Sequence, residues 1–224
     1  YFIVLEGHLM SLKLSYLFFG ASLILLNSCQ RTTENHPKDT LRIDIAGDVT
    51  SFDPQKMVDF YTFRVLSDLD EGLVDMDQAN RPIPGMAENW QISADGKTYT
   101  FQLRKDLHFS DGTPLKAQDF VYSWRKLVDP ASAASYSYMM AGVVANATEI
   151  IDSAVAPEEL GVKAIDEKTL EITLASPVPY FKDLLTLAMF FPQNQAFVEE
   201  QGDQYALSSD ALLYNGPFVL ANWD

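Results

Sequence analysis

A mixed α/β fold is the class that this 224-residue sequence predicts. Two pairs of segments alternate apolar and polar residues around short polar turns, which is the pattern of β-hairpins. Other segments carry apolar residues at the spacing of an amphipathic helix. The order along the chain is strand, helix, hairpin, helix, helix, hairpin, helix. This order differs from the regular βαβ series of a parallel sheet.

Composition excludes several classes of protein and of site. Hydrophobic residues make up 47% of the chain, which is typical of a globular protein of one or two domains. The net charge of −15 argues against a nucleic-acid partner, because binding phosphates requires a basic surface. With one Cys and three widely separated His, neither a disulfide framework nor a metal site is expected. Nothing indicates a cofactor.

The N-terminal segment has the pattern of a signal peptide. Residues 14–26 carry no charge and follow Lys13, and they are too few for the roughly 20 residues of a membrane-spanning helix. Met10 fits the start of such a signal, so that residues 1–9 would be an upstream extension of a signal peptide at 1–28. The alternative is a buried core helix.

Cys29 directly follows the apolar run. Leu26-Asn27-Ser28-Cys29 resembles the bacterial lipoprotein box, in which the Cys becomes the lipidated N-terminus, although Asn27 is larger than usual there. Residues 30–40 are almost free of apolar side chains and predict a solvated tether, which together with Cys29 spans residues 29–40. The resemblance implies attachment to the membrane through acyl chains rather than through a basic patch.

The body of the chain begins at Leu41. Residues 41–46 alternate as a strand, and Pro54 closes a turn. Residues 58–69 have apolar side chains at helical spacing, starting with Phe60. The acidic stretch 75–80 superficially resembles a calcium loop but lacks the later Gly and the distal Glu, so a plain turn is expected.

Two hairpins and a helix form the centre of the sequence. Residues 89–93 and 98–103 alternate around an Asp-Gly turn, and residues 162–164 and 170–174 alternate around a polar turn. Between them, an apolar stripe that includes Trp124 predicts a helix, with Asp119 in its first turn and Pro130 at its end. Residues 180–191 predict a last helix.

Catalytic motifs are absent. The sequence has no nucleophile elbow, no phosphate-binding loop and no HExxH, so no catalytic residue is assigned. His108 is the only histidine after the tether, and we expect it to be half-buried and structural. A hydrolase that pairs His108 with a serine is the alternative.

One stretch resembles a known family closely. Residues 87–114 (AENWQISADGKTYTFQLRKDLHFSDGTP) are similar to the signature of the family 5 solute-binding proteins, the peptide-binding components of ABC importers. Residues 117–130 (AQDFVYSWRKLVDP), 160–181 (LGVKAIDEKTLEITLASPVPYF) and 214–218 (YNGPF) resemble later landmarks of the oligopeptide-binding branch. The similarity covers residues 41–224. One small departure is Lys116, where the family commonly has a Thr or Ser helix cap.

The resemblance implies a two-lobed periplasmic binding protein of class II. Residues 41–72 would begin domain I, residues 73–191 would form a small mixed α/β domain II, and residues 192–224 would return into domain I. Members of the family run to about twice this length, so this chain is expected to be their N-terminal part only. The other lobe of the cleft would lie beyond residue 224.

Four residues are candidate ligand contacts by this resemblance. A strand after the S-x-D-P turn lies along the ligand in related proteins, and by position it corresponds to Val58, Asp59 and Phe60. A Tyr after the V-D-P helix end corresponds to Tyr136. Pairing with a peptide backbone provides affinity without reading side chains. For Phe60 and Tyr136, packing in the core is the alternative interpretation.

The resemblance therefore implies a monomeric, lipid-anchored binding protein of the bacterial periplasm or cell envelope, not an enzyme. It would deliver short peptides to the membrane permease subunits of an ABC importer. Murein peptides, dipeptides, nickel complexes and haem are alternative ligands within the family. A surface lipoprotein without a transport role is the alternative outside it.

Overall fold

The computed structural model describes Gly47, Val49 and residues 51–221. The predicted signal peptide, Cys29, the tether and the strand at 41–46 lie outside the described residues. Within the described ranges, no helix has the length and apolar character needed to cross a bilayer.

The elements alternate between helices and antiparallel strands, as the sequence predicts. In chain order they are α1 Phe60–Leu69, β1 Val74–Met76, β2 Pro82–Pro84, β3 Ala87–Ile92, β4 Thr98–Leu103, α2 Ala117–Val128, α3 Ala147–Ile151, β5 Val162–Ala164, β6 Thr169–Thr173, α4 Phe181–Leu184 and α5 Gln195–Gln201. Short 3₁₀ turns connect several of them, including Ser137–Met140 and Ala188–Phe190.

A four-stranded antiparallel sheet in the order β3-β4-β6-β5 forms one layer. Both predicted hairpins are present, and β4 pairs with β6 so that Phe101 lies opposite Leu170. In the first hairpin turn, Gly96 has a φ of +70°, a conformation that glycine adopts without steric cost. The separate hairpin β1–β2 was not predicted.

Helix α2 packs on the buried face of this sheet and forms the second layer. Its apolar stripe includes Phe120, Trp124 and Leu127, each 0% exposed. The Trp124 indole N–H donates to the Phe190 carbonyl over 2.9 Å, and the two rings meet edge to face. The predicted amphipathic helix is therefore confirmed.

Helix α2 begins without the Thr or Ser cap that is common in the family, and Asp119 provides only part of the missing hydrogen bonding. Lys116 is the N-cap, and its backbone N–H donates to the Asp119 carboxylate over 2.7 Å. A lysine side chain has no acceptor, so the reciprocal half of a capping box cannot form. Burial raises the pKa of Asp119 to about 6, against the lowering effect of the Lys116 N–H.

Two local predictions need correction. The helix expected at 180–191 is a short α4 followed by the 3₁₀ turn Ala188–Phe190, and the Thr186 hydroxyl bonds the Asp183 carbonyl near the break. His108 is exposed rather than half-buried, because the buried Leu107 and Phe109 on either side point it outward. Helix α3 is the second of the two helices that the predicted order places between the hairpins.

The acidic stretch 75–80 comprises the last two residues of β1 and, from 77 to 80, the expected turn. It joins β1 to β2, and the Asp77 carboxylate accepts a 2.6 Å hydrogen bond from Arg81. That ion pair is largely solvent-exposed.

The YNGPF landmark joins the end of α1 to the start of β1. Asn215 accepts from the Glu71 N–H at 2.8 Å and donates from its side chain to the Glu71 carbonyl at 3.3 Å. The Gly216 N–H donates to the Leu69 carbonyl, and a Cβ at Gly216 would lie 2.7 Å from that group. This close approach explains the glycine. The predicted domain boundaries at 72/73 and 191/192 stay predictions.

Candidate ligand-binding site

Residues 58–60, the 58–60 segment, form the entry to α1. Val58 has irregular backbone, Asp59 is the N-cap and Phe60 is the first helical residue, so the strand expected here is wrong. Asp59 causes the difference, because its carboxylate accepts the Thr62 N–H at 2.8 Å and thereby starts a helix. The segment instead presents an extended residue followed by a helix N-terminus.

The side chain of Asp59 is occupied by this cap. Besides the Thr62 N–H, its carboxylate accepts the Thr62 hydroxyl at 2.8 Å. The Thr62 N–H, more than any other contact, holds the pKa of Asp59 below its usual value. Asp59 is therefore an ionised capping group, and its carboxylate is already engaged by the protein.

The apolar side chains of the 58–60 segment are exposed. Val58 is 66% and Phe60 is 74% exposed, and Tyr61 beside them is 39% exposed. The centroid of the Phe60 ring lies 6.3 Å from that of Phe63 in the same helix. Core packing is therefore excluded as the role of Phe60.

Tyr136 is half-buried and packs against the core, at the N-cap of the Ser137–Met140 turn. Its ring lies 6.0 Å from that of Tyr138, which is 60% exposed. The two tyrosines form an aromatic pair with one half-buried and one exposed member. Both the core and the ligand interpretations of Tyr136 are compatible with this placement.

Hydrogen bonds connect the Tyr136 loop to the turn that precedes Val58. The Ser135 N–H donates to the Gln55 carbonyl over 2.9 Å, and the Ser135 hydroxyl reaches the Lys56 carbonyl at 3.4 Å. Ser135 immediately precedes Tyr136, and Lys56 lies two residues before Val58. The structure therefore brings the two predicted ligand segments onto one connected piece of backbone.

Sequence reasoning missed the residues that hold this turn. Asp53, Gln55, Ser123 and Gln193 are polar and almost fully buried, and they lie in three different parts of the chain. Only the S-x-D-P motif marked Asp53 in the sequence. The side chains of the other three make their hydrogen bonds to groups 67 or more residues away in sequence, so no local pattern identifies them.

A cavity lies beside the contact that the YNGPF landmark makes with residues 69–71. An open cavity of about 560 Å³ is lined by Asp70, Glu71, Arg104 and Asn215 among others. Arg104 makes two hydrogen bonds to the Glu71 carboxylate, the shorter at 2.8 Å. Burial raises the pKa of Asp70, the C-cap of α1, to about 7. The lining includes none of the 58–60 segment.

The described part of the chain contains no group of three or more His, Cys, Asp or Glu placed to hold a metal ion. His108 is exposed, and its Nδ1 lies 2.9 Å from the Asp106 carbonyl, with no serine bonded to it among the described residues. The arrangement at residues 58–60 and 136–138 offers exposed aromatic rings and backbone rather than reacting groups.

Comparisons with known proteins agree with this picture. The family model for bacterial extracellular solute-binding proteins, family 5, matches residues 81–224. The chain is 38% identical to a dipeptide-binding protein of Lactococcus lactis over 88% of its length. It is 42% identical to the periplasmic oligopeptide-binding protein OppA of Escherichia coli over 83% of its length.

A solved structure, Listeria monocytogenes OppA bound to peptide, is 43% identical and superposes with a TM-score of 0.76 over 78% of this chain. In these three comparisons the chain covers 34–35% of the relative, so it spans about a third of their length. The predicted family and its mixed α/β fold are thus confirmed. The chain belongs to the family 5 bacterial extracellular solute-binding proteins.

Proposed function

We propose that this protein is the peptide-binding component of an ABC importer, with the 58–60 segment and Tyr136 on its ligand face. It would bind short peptides outside the cytoplasm and release them to the permease subunits. Family membership supports a binding role rather than an enzymatic one. Two of the most similar relatives are named for dipeptide and oligopeptide binding.

The observation that carries the proposal is that Val58 is exposed and lies outside any helix or strand. No described residue hydrogen-bonds its N–H or its carbonyl, and its side chain is 66% exposed. A backbone N–H and carbonyl that have no partner among the described residues can pair with the backbone of a peptide of any sequence. Phe60, two residues further along the chain, adds a large apolar side chain that is 74% exposed.

Calorimetry would test this on the protein expressed as its gene encodes it. Dipeptides, tri- to pentapeptides and a murein tripeptide would be titrated in parallel, which separates the alternative ligand classes. We expect at least one peptide class to bind, and we expect thermal stability to increase with its concentration. Absence of both binding and stabilisation with every peptide would contradict the proposal.

Side-chain replacement would then locate the site. Phe60→Ala should weaken peptide binding without lowering stability, because this ring contributes little to the core. Tyr180→Ala is the matched control, since Tyr180 is a 55% exposed aromatic at the start of α4. Equal affinity loss in both variants would assign the effect to general surface change and not to a ligand contact.

Tyr136→Ala distinguishes the two interpretations of that residue. A ligand contact predicts weaker binding with nearly unchanged stability. A core role predicts a lower melting temperature in the absence of peptide, with affinity retained by the folded fraction.

We further propose that Cys29 carries lipid and anchors the protein to the membrane. The support is its position after the uncharged residues 14–26, at the end of the sequence Leu26-Asn27-Ser28-Cys29. Cys29→Ser should move the protein from the membrane to a soluble fraction. Mass spectrometry that finds an unmodified Cys29 in the native host would contradict the anchor while leaving peptide binding untouched.

A further inference from the structure

A buried polar cluster lies beneath the predicted ligand face. It consists of Asp53, Gln55, Ser123, Lys126 and Gln193, and we refer to it as the Gln55 cluster. Gln55 is 1% exposed, and its side-chain amide donates to the Ser123 carbonyl at 2.6 Å and to the Ser123 hydroxyl at 3.2 Å. These hydrogen bonds connect the turn before Val58 to the middle of helix α2.

The cluster continues through Ser123 and Asp53. The Ser123 hydroxyl donates to the Phe191 carbonyl at 2.7 Å. One Asp53 oxygen accepts the Gln55 N–H at 3.0 Å and lies 3.4 Å from the Gln193 amide nitrogen. The turn is thereby held from two sides.

Lys126 closes the cluster on its outer side. Its ammonium group donates to the Gln193 side-chain oxygen at 3.1 Å and lies 3.7 Å from an Asp53 oxygen. It also lies 5.2 Å from the centre of the Tyr205 ring. The almost fully buried Asp53 carboxylate thus has the Lys126 ammonium group as its ion-pair partner.

Stability alone does not account for a glutamine at position 55. Its Oε1 is buried without a hydrogen-bond partner among the described residues. An unpaired buried acceptor opposes folding, whereas an apolar side chain of similar length would fill the same space. Without the Gln55 amide the Ser123 carbonyl would still be hydrogen-bonded, because a carbonyl inside a helix accepts the N–H of the residue four positions later.

Gln55 also occupies the point where the two predicted ligand segments meet. Its own carbonyl accepts the Ser135 N–H at 2.9 Å, next to Tyr136. Its side chain is anchored to α2, and the chain reaches Val58 three residues later. Any rotation of this residue would therefore move the 58–60 segment and the Tyr136 loop relative to each other.

We infer that Gln55 is a positioning residue for ligand binding, which fixes the spacing between the 58–60 segment and the Tyr136 loop through its bonds to Ser123. This inference rests on the peptide-binding role proposed above. Directional hydrogen bonds hold a backbone in one orientation, whereas apolar packing tolerates several. The Gln55 cluster therefore lowers the stability of the fold somewhat, and in return it holds the backbone of the ligand face in one orientation.

Gln55→Met tests the inference in the protein as its gene encodes it. Methionine retains the length and removes both amide atoms, so the melting temperature should stay unchanged or increase. Affinity for the best-bound peptide should fall about three- to tenfold, the loss expected for one neutral hydrogen bond. A lower melting temperature with unchanged affinity would show a structural role only and would overturn the inference.

Gln102→Met is the matched control. Gln102 also donates from its side chain to a backbone carbonyl, that of Lys168 at 3.2 Å, but it does so in the sheet. This variant should bind peptide as the wild type does.

A double-mutant cycle tests the coupling between Gln55 and Tyr136. The affinity losses of Gln55→Met and Tyr136→Ala should be non-additive, because both substitutions change the spacing between the 58–60 segment and the Tyr136 loop. Strict additivity would contradict the coupling.

A ligand-free measurement separates this inference from the proposed function. Hydrogen exchange of the Ser135 amide should accelerate in Gln55→Met and stay unchanged in Gln102→Met. Unchanged exchange in Gln55→Met overturns the positioning role, whether or not peptides bind. Failure of the wild type to bind any peptide overturns the proposed function and leaves the exchange result valid.

Discussion

Asp59→Ala is the most direct test of how the 58–60 segment is held. The substitution removes the acceptor of two 2.8 Å hydrogen bonds, from the Thr62 N–H and from the Thr62 hydroxyl. Thr62 is 1% exposed, so water cannot readily replace the lost partner. Loss of an N-cap costs about 0.5–2 kcal/mol, and the second bond places this site near the top of that range, at about 1.5–2 kcal/mol.

Urea and thermal unfolding at pH 7 would measure the effect. For a domain of this size the expected loss corresponds to about 3–8 °C in melting temperature. Asp59→Asn is the control, because asparagine is an equally good N-cap and should retain most of the stability. An Asp59→Ala variant that unfolds like the wild type would refute the capping argument.

The pH dependence follows from the direction of the Asp59 shift. The pKa of Asp59 is lowered in the folded protein, chiefly by the Thr62 N–H. Its contribution to stability is therefore present above the unfolded pKa of about 3.9 and is lost as the pH falls through the lower folded pKa. Asp59→Asn should lack this acid-dependent loss.

Peptide affinity separates the cap from a ligand contact. Because the Asp59 carboxylate is engaged by Thr62, Asp59→Asn should bind peptide as tightly as the wild type. A large loss of affinity in Asp59→Asn at unchanged stability would mean that the carboxylate itself contacts the ligand.

Three further predictions concern stability. Gly216→Ala should destabilise by about 1–3 kcal/mol in urea unfolding, because the new Cβ would lie 2.7 Å from the Leu69 carbonyl. Ala133→Gly should stabilise by about 0.5–1 kcal/mol in the same assay, since Ala133 is exposed and has a φ of 48°. Asp70→Asn should raise stability at pH 7.5 and flatten the profile between about pH 4 and 7. Burial raises the folded pKa of Asp70 to about 7, so wild-type stability decreases as the pH rises through that window.

Local patterns were sufficient to predict the two hairpins and helix α2, but not the pairing of β4 with β6 that joins the hairpins into one sheet. The hairpin turns at Gly96 and at residues 166–168 separate runs of alternating residues, and Trp124 lies in a stripe that repeats every third or fourth residue. In each case the information lies within about 20 residues of sequence. Burial on one face then follows from the period of the element.

The Gln55 cluster could not be predicted in this way. Gln55 and Ser123 are 68 residues apart, and neither lies in a motif that marks it as buried. Polar residues are usually exposed, so composition places both on the surface. Only the packing of the turn on α2 brings them together, and that packing is a property of the whole fold.

In α1 the spacing of apolar residues predicts the helix correctly but predicts the burial of Phe60 wrongly. Helical spacing assigned Phe60 to the same apolar set as Leu66, yet six residues at about 100° each place them roughly 120° apart around the helix. The buried stripe of α1 is Thr62, Leu66 and Leu69, and Phe60 lies outside it. The large apolar side chain that does not fit the stripe is the one left in solvent. Because burial does not explain it, contact with a ligand is the physical reason we favour for its presence.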